Sequence, residues 1–155
     1  MIVRVVALGH RMPAWIAAGW NEYARRLPQD LTLELVELKP EPRDRGRAVA
    51  QLLASEATRI AAACKGARVV ALDERGDAWT TRTLVERLGR WRDDGETVAF
   101  VIGSADGLDD SVRQRAAAVV SLSGMTLPHG LVRVLLAEQI YRAASLLAGH
   151  PYHRD

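Results

Sequence analysis

The sequence predicts an α/β domain in which a mainly parallel β-sheet carries α-helices on both faces. Strand-like apolar runs alternate with segments of helical periodicity along the whole chain. Residues 97–102 form an almost unbroken apolar run, which is typical of a strand covered on both faces. Parallel neighbours need crossover connections, and the helical segments supply them. The 155 residues contain no linker-like stretch and no internal repeat, so we expect a single domain over residues 1–155.

The first third of the chain predicts a strand, a helix and a second strand. Residues 2–8 are rich in Val and end at Gly9, which indicates a strand that leads into a loop. A helix is predicted to begin at Pro13 and to stop near Pro28. Its apolar positions recur every four residues, at Trp15, Gly19, Tyr23 and Leu27. Residues 31–35 alternate between leucine and polar side chains, which predicts a half-buried strand.

The middle third predicts two further pairs of helix and strand. A helical period returns after the loop KPEPRDRG, at Val49, Leu52, Leu53, Glu56 and Ile60. Residues 68–72 form a short apolar run that Asp73 closes, which predicts the third strand. The next helix is marked by Leu84, Leu88 and Trp91. It leads into the apolar run at residues 97–102, which is predicted to be the central strand.

The last third predicts a helix over residues 110–118, a brief strand at residues 119–121 and a long final helix over residues 131–147. The final helix has apolar residues at more positions than one core-facing stripe needs. Two interpretations are open at this point. The helix is either buried within its own domain or lies partly against a second subunit.

The charge balance excludes a globally basic nucleic-acid binder. The sequence has 21 Lys and Arg against 19 Asp and Glu, a net charge of only +2. The arginines gather in two groups, Arg25 with Arg26 and then Arg43 with Arg45 and Arg47. Arginine forks suit phosphate, but solvated faces of helices and loops account for such groups equally well.

The start of the chain indicates a cytoplasmic protein with no membrane partner. Arg4 breaks the first apolar run and no small-residue cleavage site follows it, so a signal peptide is not expected. No stretch approaches the ~18 uninterrupted apolar residues that a membrane span needs. The single cysteine, Cys64, cannot form an internal disulfide and is assigned no function.

Three loops at the carboxyl ends of predicted strands, those after strands three, four and five, are candidate ligand sites, because open parallel sheets bind ligands at that edge. The loop after the central strand, residues 103–107, is short and rich in small residues, so a ligand can approach its backbone closely. It lacks the spacing of dinucleotide and triphosphate loops. Residues 122–129 mix apolar and small side chains, a combination that suits an adenine ring. From these residues alone, both segments can equally be plain connecting turns.

Three of the four histidines lie near the end of the chain: His129, His150 and His153. A metal site is not predicted, because no cysteine accompanies them and the spacing of the last two does not place them on one helix face. Residues 150–155 combine a cation, an aromatic ring and imidazoles, which are suited to holding and deprotonating a nucleobase. The alternative is a frayed terminus.

Four segments together resemble one known family. Residues 125–143 (MTLPHGLVRVLLAEQIYRA) and 150–155 (HPYHRD) are similar to the C-terminal signature of the ribosomal RNA large subunit methyltransferase H family, within the SPOUT superfamily. Residues 6–28 (VALGHRMPAWIAAGWNEYARRLP) resemble its first strand and helix, and residues 72–79 (LDERGDAW) its loop after the third strand. The resemblance covers essentially the whole chain.

The resemblance implies a SPOUT-type fold with a deep trefoil knot in the C-terminal half, a homodimer, and S-adenosyl-L-methionine as methyl donor without a metal. The implied reaction is methylation of N3 of a pseudouridine in helix 69 of 23S rRNA, in the large subunit or the assembled ribosome. The implied cofactor residues are Leu72, Gly103, Ser104, Leu122, Ser123, Gly124, Met125, Thr126 and Leu127. The implied catalytic residues are His153, Arg154, Tyr152 and Arg142, and the implied RNA contacts are Arg133 and His129. Which residue accepts the N3 proton is open.

One loop departs from the family pattern. The family usually has Gly-Gly-Pro-Glu-Gly after the fourth strand, where this chain has Gly103, Ser104, Ala105, Asp106 and Gly107. A positive φ at Ser104 would cost about 1 kcal/mol, because only glycine adopts that conformation freely. If this loop has lost affinity for the methyl donor, the chain would be a catalytically silent RNA-binding or ribosome-assembly factor of the same fold, which is the alternative. A flavodoxin-like nucleotide-binding module is the third interpretation.

Overall fold

A computed structural model describes residues 1–43 and 46–152. The strands are Ile2–Leu8 (β1), Thr32–Leu38 (β2), Arg68–Ala78 (β3), Val98–Ile102 (β4) and Ala118–Ser121 (β5). They form one sheet in the order β2-β1-β4-β3-β5, and every strand pairing in it is parallel. The predicted α/β fold with a parallel sheet is therefore confirmed.

Helices cover both faces of this sheet. They are Ala14–Ala24 (α1), Val49–Ala63 (α2), Thr81–Asp93 (α3), Asp110–Arg115 (α4) and His129–Leu147 (α5). One core cluster joins the strands to α1, α3 and α5, and a second cluster joins them to α2 and α4. α5 lies between α1 and α3 and buries much of its apolar surface within its own chain. Both core layers form because each strand is apolar on two sides.

The central strand β4 shows this pattern most directly. All five of its residues are buried. Val98, Phe100 and Ile102 belong to the first core cluster, whereas Ala99 and Val101 belong to the second. Successive side chains of a strand point to opposite faces, so an unbroken apolar run fills both layers.

β3 is longer than the sequence predicts. It was expected to close at Asp73, but it continues and pairs with β5 again after a register shift between Leu72 and Asp77. Gly76 permits this close approach, because a Cβ there would lie 2.6 Å from the backbone nitrogen of Val120. The polar residues of the shifted segment mask the strand in the sequence pattern, since only pairing with β5 shows that it continues.

α1 is shorter than predicted and buries a different stripe. It ends at Ala24 rather than near Pro28, and its buried residues are Ile16 and Trp20. Trp15, which the predicted stripe included, is 59% exposed. Two stripes of this helix repeat every four residues, and the sequence does not reveal which of them meets the core.

Two boundaries near the C-terminus also differ. α4 stops at Arg115, and Ala118 already pairs with Val70 of β3. α5 begins at His129, two residues earlier than expected. Gly130 is a weak helix former, so the apolar pattern marks the helix only from the residue after it. Within residues 1–43 and 46–152, no helix has both the length and the apolar character that crossing a membrane requires.

Candidate functional site

A cavity of about 340 Å³ lies at the carboxyl ends of β3, β4 and β5. Its walls come from the shifted segment of β3, the loop after β4, the loop after β5 and the first turn of α5. Open parallel sheets bind ligands at this edge, and the volume lies within the range of small-molecule sites. The cavity is therefore the candidate functional site.

The structure brings most of the predicted cofactor residues together in this cavity. Of the nine, eight line it: Leu72, Gly103, Ser104, Leu122, Ser123, Met125, Thr126 and Leu127. Gly124 belongs to the same loop but not to the lining. His129, predicted as an RNA contact, also lines the cavity. Their roles in binding stay predictions, but the loops that carry them converge on one space.

The loop after β4 is a tight turn with little freedom. A Cβ at Gly103 would lie 2.6 Å from the carbonyl oxygen of Gly107, closer than a real side chain comes. Gly107 has a φ of +84° and its N–H donates to the carbonyl of Ser104 at 2.9 Å. Among the described residues only Arg11 is a non-glycine residue with positive φ. The strain considered for Ser104 is therefore absent.

The loop after β5 holds its shape through its own serines and leaves apolar surface uncovered. The hydroxyl of Ser121 donates to the carbonyl of Ser123 at 2.8 Å. The hydroxyl of Ser123 accepts from the backbone N–H of Met125 at 2.9 Å. Met125 is 79% exposed, and Leu122 is also exposed. Large apolar side chains that line a cavity and face solvent are suited to covering the flat faces of a ligand.

Asp73 places a buried carboxylate in the wall of the cavity. Its oxygens accept from Arg75, through the backbone N–H at 2.9 Å, and from Nη1 of Arg113 at 3.0 Å. Burial raises the pKa of Asp73, but the hydrogen bonds from Arg75 and Arg113 outweigh burial, so its pKa lies below the ordinary value. The carboxylate is therefore ionised at neutral pH and ties the shifted segment of β3 to α4.

Asp73→Asn is expected to lower the free energy of unfolding by about 1–3 kcal/mol at pH 7, because it removes the charged acceptor shared by Arg75 and Arg113. Because the pKa of Asp73 is lower in the folded chain than in the unfolded chain, the ionised carboxylate stabilises the fold. This stabilisation is fully present above the unfolded pKa of about 3.9 and is lost as the pH falls through the folded pKa. The difference in the free energy of unfolding between wild type and Asp73→Asn, measured by urea titration, should therefore become smaller below about pH 4.

Asp93→Asn is the matched control for this prediction, because Asp93 is highly exposed and is 3.8 Å from Nε of Arg92. It should change stability by less than about 0.5 kcal/mol at either pH. An Asp73→Asn protein as stable as wild type at pH 7 would contradict the role assigned to this carboxylate.

The predicted catalytic residues that the structure describes lie away from the cavity. The hydroxyl of Tyr152 donates to Oε1 of Glu138 at 3.2 Å, and its ring packs against that of Tyr141 at an interplanar angle of 58°, with centroids 4.5 Å apart. Arg142 also pairs with Glu138 and lies over the Tyr152 ring, 5.1 Å from its centroid. Burial, followed by the charge of Glu138, raises the pKa of Tyr152. His153 and Arg154 lie outside the described residues.

Arg142 is well separated from the cavity along α5. Val132 lines the cavity, whereas Arg142 lies roughly ten residues further along the helix, about 15 Å at 1.5 Å per residue. Neither Tyr152 nor Arg142 is part of the lining. The structure therefore does not bring Tyr152 and Arg142, the described members of the predicted catalytic set, together with the predicted cofactor residues within a single chain.

Arg133 requires a correction. It was predicted to contact RNA, but its side chain is 1% exposed. Its guanidinium donates to Glu37 at 2.6 Å and to the carbonyl of Gly9 at 2.8 Å. A buried guanidinium with two protein acceptors is not available to a phosphate on the surface, so we assign Arg133 to holding α5 against the loop after β1.

The two arginine groups are engaged by carboxylates of the same chain. Arg25 and Arg26 both pair with Glu22. Arg47 pairs with Glu41, and Arg43 pairs with Glu56 and Asp106. Arg45 lies outside the described residues. The described members are thus ion-pair partners within the chain.

Sequence reasoning named the loops after the third and fourth strands as candidates, but it did not single out every residue that lines the cavity. Asp73, Glu74, Arg75, Asp106 and Val132 all line it. Asp73, Glu74 and Arg75 follow directly after a predicted strand, which is a usable signal at the carboxyl edge of a sheet. Within residues 1–43 and 46–152, no group of three or more His, Cys, Asp or Glu side chains is placed to hold a metal ion.

Comparisons with known proteins agree on one family. A family model described as "Predicted SPOUT methyltransferase" matches residues 1–153. Ribosomal RNA large subunit methyltransferase H of Nitrosospira multiformis is 57% identical over 151 residues, which is 97% of each chain. The protein of the same name from Burkholderia vietnamiensis is 55% identical over 155 residues, or 99% of each chain.

Solved structures of low sequence identity share the fold. The tRNA (m1G37) methyltransferase of Aquifex aeolicus superposes with a TM-score of 0.59 at 14% identity, covering 100% of this chain and 76% of its own. A probable methyltransferase of Bordetella pertussis has a TM-score of 0.58 at 18% identity, covering 92% and 93%. With the matches over nearly the full length, these findings establish that the chain belongs to the ribosomal RNA large subunit methyltransferase H family of SPOUT methyltransferases.

Proposed function

We propose that this chain, as a single SPOUT domain over residues 1–155, transfers a methyl group from S-adenosyl-L-methionine to N3 of a pseudouridine in helix 69 of 23S rRNA. The observation that carries the proposal is the convergence of eight of the nine predicted donor residues on one cavity. Relatives named as ribosomal RNA large subunit methyltransferases, at 55–57% identity over nearly the full length, support the choice of RNA.

The chemistry of the cavity lining suits the methyl donor. Uncovered apolar side chains, Leu122 and Met125, are suited to the faces of an adenine ring. Three carboxylates, those of Asp73, Glu74 and Asp106, line the cavity against one guanidinium, that of Arg75. Asp73 and Asp106 are paired with Arg113 and Arg43, so Glu74 is the lining carboxylate best suited to a cationic group of the donor. The loops after β4 and β5 would hold the donor.

The chain's main task in the reaction is positioning. The sulfonium of the bound donor makes its methyl group electrophilic, so the protein aligns the attacking nitrogen and helps to remove its proton. Holding the two reactants in line supplies several kcal/mol of the required acceleration. The proposal assigns the acid–base work to residues 150–155, called the tail, through Tyr152, His153 and Arg154 as a group. The ordinary pKa of an imidazole lies near neutrality, which suits His153 to this work.

The proposal includes a homodimer, because Tyr152 of one chain lies away from its own cavity. Tyr152 docks on Glu138 and Tyr141, about 9–14 Å along α5 from Val132 in the cavity wall. A second copy would supply its tail, together with Arg142, to this chain's cavity. The proposal also includes the trefoil knot of the SPOUT class in the C-terminal half.

The proposed reaction is tested with methyl-labelled S-adenosylmethionine and the purified protein. The substrates are free 23S rRNA, large subunits and assembled ribosomes from cells that lack this protein. A matched set carries uridine in place of the target pseudouridine. We expect label on the pseudouridine-containing set only, and the three substrates show which form of the RNA is accepted. Tight RNA binding without any label would contradict the proposal and identify a silent RNA-binding factor.

A further inference from the structure

A buried carboxylate on α2 lies outside the machinery described so far. Glu56 is 2% exposed and lies on a helix face that otherwise buries Leu52, Ala57 and Ile60. Burying a carboxylate among apolar side chains costs several kcal/mol unless donors satisfy its oxygens. The partners of Glu56 therefore show what this position is for.

Its partners come from two separate loops. Oε1 accepts from Nη1 of Arg43 at 2.6 Å and from the backbone N–H of Glu41 at 3.0 Å. Oε2 accepts from the hydroxyl of Ser104 at 3.0 Å. One carboxylate thus joins the loop before α2 to the loop after β4, which lines the cavity.

Arg43 also binds the loop after β4 directly. Its Nη2 donates to the hydroxyl of Ser104 at 2.8 Å, and its Nε donates to Oδ2 of Asp106 at 2.9 Å. The Ser104 hydroxyl therefore donates to Glu56 and accepts from Arg43 at the same time. Hydrogen bonds with charged partners are the strong ones in proteins. We call these four side chains, Glu56, Arg43, Ser104 and Asp106, the loop clamp.

The loop clamp engages two of the three positions where the sequence departs from the family pattern described above. Ser104 stands where the family usually has its second glycine, and Asp106 stands where it usually has glutamate. Both residues line the cavity, and their side chains are held by Glu56 and Arg43. A loop that loses a glycine and a proline here gains side-chain anchors in their place.

We propose that Glu56 and Arg43 are positioning residues that set the loop after β4 for the methyl donor, acting through Ser104 and Asp106. The inference rests on the proposed function, because it presumes that this loop holds the donor. Neither Glu56 nor Arg43 lines the cavity. Their effect should therefore fall on donor affinity rather than on the rate of transfer at saturating donor.

The test is a double-mutant cycle read by calorimetry with S-adenosylmethionine. Glu56→Gln and Ser104→Ala should each weaken donor binding about tenfold, since each removes a charge-assisted hydrogen bond. The double variant should bind no more weakly than either single variant, because both break one connection. At saturating donor, the kcat of Glu56→Gln should stay within about twofold of wild type. Fully additive losses, or unchanged affinity in both single variants, would overturn the proposal.

Glu41→Gln is the matched control. The Glu41 side chain pairs with Ser55, Arg47 and Arg59 but contacts no residue of the loop after β4. Donor affinity in this variant should stay within about twofold of wild type. A loss equal to that of Glu56→Gln would overturn the proposal, because the effect would then be general to this region. Should Glu56→Gln fail to fold, Arg43→Lys replaces it in the cycle, since Arg43 is only partly buried.

Hydrogen exchange separates this inference from the proposed function. The amide of Gly107 donates to Ser104 across the turn, so its exchange reports on the loop in the free protein. Glu56→Gln should speed its exchange about tenfold, whereas Glu41→Gln should not. Failure of the wild type to bind the donor would contradict the proposed function alone. Equal exchange in Glu56→Gln and wild type would overturn the loop clamp whether or not the donor binds.

Discussion

A chain that lacks residues 152–155 is expected to fold and to bind the methyl donor, yet to lose methyl transfer by at least about 100-fold. The reason lies in the separation of the two parts. The cavity is built from the ends of β3, β4 and β5, whereas Tyr152 packs on Tyr141 and Glu138 further along α5. Removing the tail therefore leaves the cavity walls in place while it removes the proposed acid–base groups.

Two measurements check this expectation together: calorimetry with S-adenosylmethionine and single-turnover transfer to the RNA substrate. A chain that lacks Asp155 alone is the matched control and should keep its turnover. Tyr152→Phe keeps the ring and removes the hydroxyl that donates to Glu138, so it distinguishes the effect of the ring from that of the hydroxyl. Undiminished turnover in the truncated chain would refute the assignment of catalysis to the tail. Loss of donor binding would refute the separation of the two parts.

Gly103→Ala is expected to weaken donor binding by about 30-fold or more. The added Cβ would lie 2.6 Å from the carbonyl oxygen of Gly107 and 3.0 Å from Cγ of Leu108. Backbone atoms form the obstacle, so the loop after β4 has to move. Overpacking of this kind costs about 1–3 kcal/mol, and a shift of about 2 kcal/mol in the bound state corresponds to about 30-fold in affinity.

Gly89→Ala is the matched control for this substitution. Its Cβ would meet only a terminal methyl carbon of Leu147, at 3.3 Å, and such a side-chain tip can move aside. Gly89 lies within α3, outside the cavity, and alanine favours the helix by about 1 kcal/mol. Wild-type donor affinity in Gly103→Ala, measured by calorimetry, would show that this turn does not shape the site.

The parts of the fold that sequence alone predicts are those with a clear apolar period. β1, α2, α3 and β4 have their expected places, because each repeats at the spacing of its own structure. The second half of β3 does not, because its polar residues pair with β5 only after a register shift. The exposure of Trp15 was missed for a similar reason, since tertiary packing alone selects between two equivalent stripes of α1.

Some features of the candidate site could likewise be predicted from the sequence, and others could not. Family resemblance named eight of the residues that line the cavity, and the sheet explains why loops distant in sequence meet there. The burial of Arg133 was not predictable, because a basic residue on the last helix has the same appearance in sequence whether it faces RNA or Glu37. Glu56 did leave a signal, as the one charged residue in an apolar helical period. Such a residue indicates a buried polar connection.

Mass mapping of ribosomal RNA from cells with and without this protein tests the central claim most directly. We expect one pseudouridine-containing fragment of 23S rRNA to lose a single methyl group when the protein is absent. The wild-type chain should restore that methyl group, and the chain without residues 152–155 should not. Fragments of identical mass in both kinds of cell would contradict the claim that this protein methylates the ribosome.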